Sequence, residues 1–402
     1  MTIHVAIPAM NEAEFIDKTL ECIKSQQTAS QINTYVCVNQ PESYWHNSDK
    51  ELICENNKRT IDILEKSELN NLKILDKSSM GHGWDEKKHG VGIARKTLMD
   101  FIAKDAKNDD IVISLDADTT FGAHYFQSVA DQFLKFPNAV AMSNPYYHQL
   151  TGKNAEDKAI LRYEIYMRNY AIQMLRIKSP FAFTALGSAL GYKIKSYKAI
   201  GGMSPMKSGE DFYFLQQLRK YGEIIIHNSQ KVFPAARFSD RVFFGTGPAM
   251  IKGNSGDWNS YPIYHSSLFE EIRKVYLNIS NMYKNIDYDT LEFLEFLKQQ
   301  FGTNDFLTPI RQNFKTEAQF NRAFYTKVDG LRALQYLKKE QQNREIENRI
   351  SLLNNYPSLS VIDDKYLSDC LLEDFSVEDL ATIREELVSI EGILIEEKQT
   401  LS

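Results

Sequence analysis

"DDIVISLDADTTFGAHY", Asp109 to Tyr125, decides how this chain is to be read. The apolar run Ile111 to Leu115 has the length and β-branched content of a buried strand. It ends in Asp116-Ala117-Asp118, two carboxylates one residue apart. A carboxylate is costly to bury unless something pairs with it. Either solvent meets these two at a turn, or a cation does. Side chains two positions apart on a strand share a face. Asp116 and Asp118 could then offer oxygen ligands together to Mg2+ or Mn2+. The competing reading is a strand-end turn in which Asp bonds its own backbone, the commoner fate of an isolated D-x-D.

Working outward, "HVAIPA" (His4 to Ala9), "TYVCVN" (Thr34 to Asn39) and "LKILD" (Leu72 to Asp76) also read as strands. Helical stretches separate them. Phe15, Ile16, Leu20 and Ile23 recur at helical spacing, Ile61 to Leu64 sits in a second helix, and "GVGIARKTLMDFIAKDA" is a third, opened by glycines. Downstream come a helix from Tyr125 to Phe136, a strand from Val140 to Ser143 and a long helix from Glu156 to Ile177. The helix "EDFYFLQQLRKYG" and the strand "EIIIHN" follow. Strands alternating with helices of this length mean a mostly parallel α/β sheet with flanking crossover helices. Ligands of such sheets sit outside the carboxyl ends of the strands. Asp116 and Asp118 lie at one such end, and the segment Pro8 to Glu12 at another. "RFSDRVFFGTGPAMIKGNSGDWNSYP", from Arg237, reads as a long irregular loop of the kind used as a lid. From Ser266 onward the pattern is helical. The expected organisation is a catalytic domain over 1–265 and a helical C-terminal module over 266–402.

Composition sets the boundaries. The 402 residues are 43% hydrophobic and 25% charged, as in a water-soluble globular protein. The net charge of −6 argues against a general nucleic-acid binder. That charge is uneven: residues 266–402 carry 16 basic and 24 acidic side chains, and the remainder is slightly basic. Cys22, Cys37, Cys54 and Cys370 form no C-x-x-C pair, so neither a zinc site nor a disulfide framework is suggested. The opening residues lack a basic, then apolar, signal pattern, and no stretch of about 18 apolar residues could span a bilayer. The expectation is a cytoplasmic protein without a membrane span, with peripheral association left open and the oligomeric state unspecified.

Several polar constellations remain. In "SGED", Ser208 to Asp211, Ser208 can cap a helix whose first turn is acidic; equally, Asp211 can act as a general base. "IPAMNE" places Pro8, Asn11 and Glu12 at a strand end, as capping groups or as nucleotide contacts. Arg95, in "GVGIARK", is either a phosphate partner or a surface residue. Arg237 and Arg241 flank a Gly-rich segment and suit a leaving diphosphate or plain solvent. His227 and His265 could each complete a metal site, but a lone histidine is more often structural.

The order and spacing of these pieces resemble the family 2 glycosyltransferases, which have the GT-A fold. "IPAMNEAEFIDKTLECIKSQ", "DAD" and "GSALGYKIKSYKAIGGMSPMKSGEDFYFLQQLRKYG" carry the resemblance, over roughly residues 3 to 245. It implies a GT-A type, Rossmann-like sheet. It also implies that Asp116 and Asp118 bind a nucleotide-sugar and its Mn2+ or Mg2+, with Asp116 also a donor contact. Asp211 matches the family's catalytic base, with Glu210 beside it. Pro8, Asn11 and Glu12 match the nucleotide-contacting start, and Gly187 and Ser188 the small residues that border the donor sugar. The implied activity is transfer of one sugar from a nucleotide-sugar to a hydroxyl of a glycan or other acceptor, with inversion, in bacterial-type glycan or glycoconjugate synthesis. Two departures stand out. "VCVNQPES" replaces the acidic segment that reads uracil in many members, which leaves the nucleobase open, and the Q-x-x-R-W motif of processive synthases is absent. Other readings are a non-catalytic nucleotide-sugar binder on a degenerate scaffold and a retaining transferase. A nucleotidyltransferase would need a Gly-rich basic loop after the first strand, which "PAMNEAEF" does not supply.

Overall fold

The alternation of short β-branched segments with amphipathic ones produces the α/β layout it implies. The structure, a computed structural model, describes residues 1–240, 245–286, 290–357, 359 and 371–400. The chain divides into two compact units. The first comprises Met1–Glu156 and Phe183–Ile251, the second Asp157–Ala182 and Lys252–Ser402.

The first unit is built on strands β1 (Thr2–Ala9), β2 (Gln31–Asn39), β3 (Leu72–Lys77), β4 (Ile111–Ser114), β6 (Ala141–Ser143), β7 (Leu190–Lys193) and β8 (Ile224–Ile225), in the order β3-β2-β1-β4-β7-β6-β8. β5 (Thr120–Phe121) pairs with β9 (Val232–Phe233) in a separate ribbon. Within the seven-stranded sheet only β7 runs against its neighbours, β4 and β6. The fold class expected from the sequence is thus the one observed. Parallel strands covered on both faces read as continuous apolar runs. Accordingly Ile3, Val5, Ala6 and Ile7 of β1 and Ile111, Val112 and Ile113 of β4 are fully buried.

The helices of this unit are α1 (Ile16–Lys24), α2 (Glu51–Lys66), α3 (Val91–Asp105), α4 (Tyr125–Lys135), α6 (Ile194–Ala199) and α7 (Glu210–Tyr221). α3 packs on β1 and β2. α4 lays Val129 and Phe133 over Gly191 of β7.

Two expectations are corrected. β4 stops at Ser114, so Asp116 and Asp118 occupy a turn, closed by the Thr119 amide donating to the Asp116 carbonyl at 3.1 Å. The shared-face argument therefore does not apply. The segment after Arg237 is not irregular throughout, because Thr246–Asn254 forms helix α8 with Pro248 in its first turn, where the missing N–H costs nothing. Arg241 lies outside the described residues.

The second unit holds α5 (Asn154–Arg176) from Asp157 onward, then α9 (Ser266–Leu277), α10 (Ile279–Lys284), α11 (Glu292–Phe301), α12 (Leu307–Asn313), α13 (Glu317–Lys327), α14 (Gly330–Asn343), α15 (Asn348–Asn355) and α16 (Val377–Thr400). Among the described residues it has no strand. Leu161, Ile165 and Ile172 of α5 form a core with Leu352, Leu380, Ile383 and Leu387. Within it Arg168 donates to Glu164 and Glu391, both at 2.5 Å, so these buried charges are paired. Among the described residues no helix is long and apolar enough to cross a membrane.

Candidate active site

At the carboxyl ends of β1 and β4, the chain turns away and leaves polar groups on one rim of the sheet. β1 leads to Asn11, whose φ of 60° is left-handed, a conformation asparagine tolerates better than most residues. Its amide donates to Asn57 Oδ1 at 2.8 Å, and the Ala13 amide to Asn56 Oδ1 at 3.0 Å. Asn39 Nδ2 donates to the Ala9 carbonyl at 2.9 Å. Side-chain amides of β2 and α2 thus replace the ladder bonds that β1 loses as it ends, and this fixes Glu12. Pro8 remains inside β1, buried, with no amide to offer.

The turn after β4 is held from α1. Thr19 Oγ1 lies 2.9 Å from the Ala117 carbonyl and 3.0 Å from the Thr119 carbonyl. Thr19 is fully buried among the apolar residues of its helix. Asp118 accepts from Arg237 Nε at 3.0 Å and Nη2 at 2.6 Å. The same Nη2 lies 2.7 Å from both oxygens of Glu12. The guanidinium stacks 4.0 Å from the Phe15 ring centroid. One cation therefore joins the ends of β1 and β4, and both carboxylates hold its proton affinity above the ordinary arginine value.

Asp116 points to a different cation. Arg95, on the second turn of α3, is buried, with Nη2 on Asp116 Oδ1 and Nη1 on Glu210 Oε1. The surface-residue reading of Arg95 is thereby removed. Burial raises the Asp116 carboxyl, Arg95 opposes that rise, and Asp118 and Glu210 add to it.

α7 supplies the remaining acids. Ser208 does not cap it. The N-cap is Gly209, at a left-handed φ of 73°, and no side chain caps the helix. The capping-box explanation of "SGED" therefore fails. Asp211 is half-buried and accepts from the Phe212 amide at 2.7 Å. Burial first, then neighbouring Glu210, pushes its carboxyl up to about 7, with Arg95 acting in the other direction. That is the range in which a general base works near neutrality. Gly187 and Ser188, buried in a short 3-10 turn before β7, border this side.

The structure brings Glu12, Asp116, Asp118, Glu210 and Asp211 together with Arg95 and Arg237 through direct pairs or adjacency in sequence. Five carboxylates face two guanidinium groups. Among the described residues no group of three His, Cys, Asp or Glu side chains is arranged as a metal cage. His265 accepts from the Ser267 amide and caps α9 in the second unit. From the sequence Phe15 reads only as part of a helix's apolar stripe, and Thr19 is not singled out. Thr19 alone had a signal, a hydroxyl on the apolar stripe of an amphipathic helix.

No family model matches the chain, and no curated protein matches it. Solved structures are similar to it at low identity. TarS 1-349 from S. aureus, in complex with UDP-GlcNAc, is 13% identical over 97% of this chain and 92% of that one, with a TM-score of 0.42. The mannosyltransferase PcManGT from Pyrobaculum calidifontis, in complex with GDP-Man and Mn2+, is 12% identical over 96% and 85%, with a TM-score of 0.37. Glucosyl-3-phosphoglycerate synthase from Mycobacterium tuberculosis, in complex with UDP, is 13% identical over 56% and 69%, with a TM-score of 0.33.

Proposed function

We propose that the chain is a glycosyltransferase that moves a single sugar from a nucleotide-sugar to an acceptor hydroxyl, with Mn2+ or Mg2+ and with inversion at the anomeric carbon. One observation carries the reading: the D-x-D turn after β4 and the acidic start of α7 converge on one buried arginine. Asp116 and Glu210 are 94 residues apart in sequence and would not need to meet if each segment were a mere cap.

The chemistry follows from the groups present. The bond between the anomeric carbon and the diphosphate oxygen breaks, and the nucleoside diphosphate leaves with the electron pair. A bond forms from the acceptor oxygen on the opposite face, and its proton passes to Asp211. The carboxyl raised toward 7 is basic enough to accept that proton and still ionised in part near neutrality. Glu210, fixed by Arg95, sets the first turn of α7 and so the place of Asp211.

The donor set fits a hard divalent ion. Asp116 and Asp118 offer only oxygen, and Mg2+ is commonly held by one or two carboxylates with the rest of its shell from phosphates and water. The excess of carboxylates over guanidinium groups gives the independent reason. A diphosphate would meet net negative charge here without a further cation. Bound at this rim, the ion would act as a Lewis acid that neutralises the leaving group. Arg237, already at Asp118, is placed to assist.

A donor screen tests the reading. Purified protein with Mn2+ is incubated with a panel of nucleotide-sugars, and release of nucleoside diphosphate is followed with and without EDTA. Metal-dependent release from one donor class supports the proposal. Release from none, together with no calorimetric binding of any nucleoside diphosphate with Mn2+, rejects it.

A further inference from the structure

We propose that Arg95 is a positioning residue that clamps the Asp116 turn to the N-terminus of α7, and that Gly187 and Gly92 form the socket that lets it do so. The proposal rests on the glycosyl-transfer reading for what the two joined parts do, and on geometry alone for the clamp.

Arg95 is 3% exposed. A buried guanidinium is unfavourable unless carboxylates answer it, and two do. One Nη serves Asp116 and the other Glu210, so both forks are taken by the protein. A residue so engaged is poorly placed to bind a diphosphate directly. It acts through the acids it holds.

The surroundings are shaped for this side chain. A Cβ on Gly187 would lie 2.3 Å from Arg95 Cζ, Nη1 and Nη2. That is far inside contact distance, so any larger residue at 187 would push the guanidinium away from its partners. On the other side, a Cβ on Gly92 would lie 2.2 Å from the Met206 carbonyl oxygen and 3.0 Å from Glu210 Cβ. Gly92 thus lets α3 approach the start of α7 closely enough for Arg95 to reach Glu210. Neither glycine has a positive φ that would require it, and one side chain accounts for both. The fork matters as well as the charge. A guanidinium bonds two carboxylates at once from fixed directions, whereas an ammonium is a compact point charge.

The clamp predicts that small displacements of Arg95 impair transfer more than donor binding. Four variants test it: Arg95→Lys, Gly187→Ala, Arg95→Met, and the double variant Arg95→Met/Glu210→Gln. The double variant leaves no buried unpaired carboxylate at 210 and guards against simple misfolding. Donor KM, kcat, nucleoside diphosphate binding with Mn2+, and the pH dependence of kcat/KM are measured. We expect kcat to fall by about 10²-fold in Gly187→Ala and Arg95→Lys, the scale of an ångström misplacement at a reacting centre, with KM and nucleotide affinity within about threefold. The acidic limb of kcat/KM should move to higher pH in Arg95→Met, where Asp211 keeps Glu210 and Asp116 nearby but loses the cation that opposes its protonation, and back to lower pH in the double variant, which removes the Glu210 charge as well.

Three outcomes would overturn the clamp. Arg95→Lys at the wild-type rate would show that the fork is not needed. A tenfold loss of nucleotide affinity with kcat unchanged would make Arg95 a donor ligand. Additive thermal-midpoint shifts in an Arg95→Met, Asp116→Asn cycle would show no coupling, and this last readout needs no turnover. If the wild-type protein transfers no sugar from any donor, the functional reading fails, while the thermal cycle still decides the clamp.

Discussion

Asp211→Asn separates the catalytic reading from a structural one in two measurements. The substitution keeps size and can still accept from the Phe212 amide, which lies 2.7 Å from Oδ1. It removes a carboxyl pushed from the ordinary 3.8 up to about 7. That difference of about 3 units corresponds to at most about 4 kcal/mol of pH-dependent stability. Asp211 is half-buried and solvent screens part of the effect, so about 1–3 kcal/mol is expected. The sign follows from proton binding. Between the two values the folded state holds the proton more tightly than the unfolded state. The wild type is therefore favoured at low pH and loses stability as pH rises from about 4 through about 7. Asp211→Asn has no such slope at this site, so it should be the more stable protein at pH 8 and not at pH 4. Urea unfolding at pH 4, 5, 6, 7 and 8 measures this. In the same protein, transfer should fall by about 10² or more, the scale for loss of a general base, while nucleoside diphosphate binding with Mn2+ persists. Parallel stability curves would refute the raised carboxyl. Near wild-type transfer would refute the base, and with it the inverting mechanism.

Arg237→Met leaves Glu12 and Asp118 without their shared cation. It should cost about 2–4 kcal/mol, which urea unfolding of the variant beside the wild type checks. Thr19→Val removes the one hydroxyl proton that lies between the Ala117 and Thr119 carbonyls. It should lower stability by about 1–3 kcal/mol and weaken metal-dependent nucleotide binding in calorimetry, because the Asp116 turn loses its anchor. In the second unit, Arg168→Met removes the cation that Glu164 and Glu391 share and leaves Glu164 with Arg384. A loss of about 3–5 kcal/mol in chemical denaturation is expected, and a loss under 1 kcal/mol would mean that those acids are already neutral.

The sheet was legible because its rule is local. A parallel strand buried on both faces must be apolar throughout, and β1, β2 and β4 announce themselves in that way. The reversal of β7 has no such mark. "LGYK" reads alike in either direction, and its antiparallel register with β4 and β6 is set by packing. The carboxylates were legible as residues but not as geometry. Period-two reasoning placed Asp116 and Asp118 on one face of a strand, and the chain leaves the strand two residues before Asp116. Glu12 and Arg237 illustrate a further limit. They are 225 residues apart in sequence, and no short-range pattern can pair them. The helix α8 was hidden by Gly247, Gly253 and Gly256, whose low helix propensity suggested a loop. One of these, Gly253, is required by packing instead, since a Cβ there would lie 2.2 Å from the Trp258 ring.

Each aspartate of the D-x-D turn has its own arginine, and this division bears on how the rim can work. Arg95 is buried between Asp116 and Glu210, and neither acid can leave it without stranding a cation in a low-dielectric site. Arg237 sits nearer solvent, its side chain 19% exposed, and it shares Asp118 with Glu12. A divalent ion that arrives with a diphosphate carries more charge than a guanidinium and a matching anion with it. Such an ion would compete with Arg237 for Asp118, and the freed guanidinium would have the phosphate oxygens to pair with. The same ion gains less by displacing Arg95. The asymmetry lies in the arginines, since the Asp116 side chain is itself 38% exposed and that of Asp118 12%; it assigns the exchangeable partner to Asp118 and the fixed one to Asp116. It predicts that Asp118→Asn abolishes the Mn2+ dependence of nucleotide binding, whereas Asp116→Asn chiefly lowers stability and kcat. Equal loss of metal dependence in both variants, measured by titration of nucleoside diphosphate with and without Mn2+, would show that the two aspartates act as one ligand pair and that the division drawn from burial is wrong.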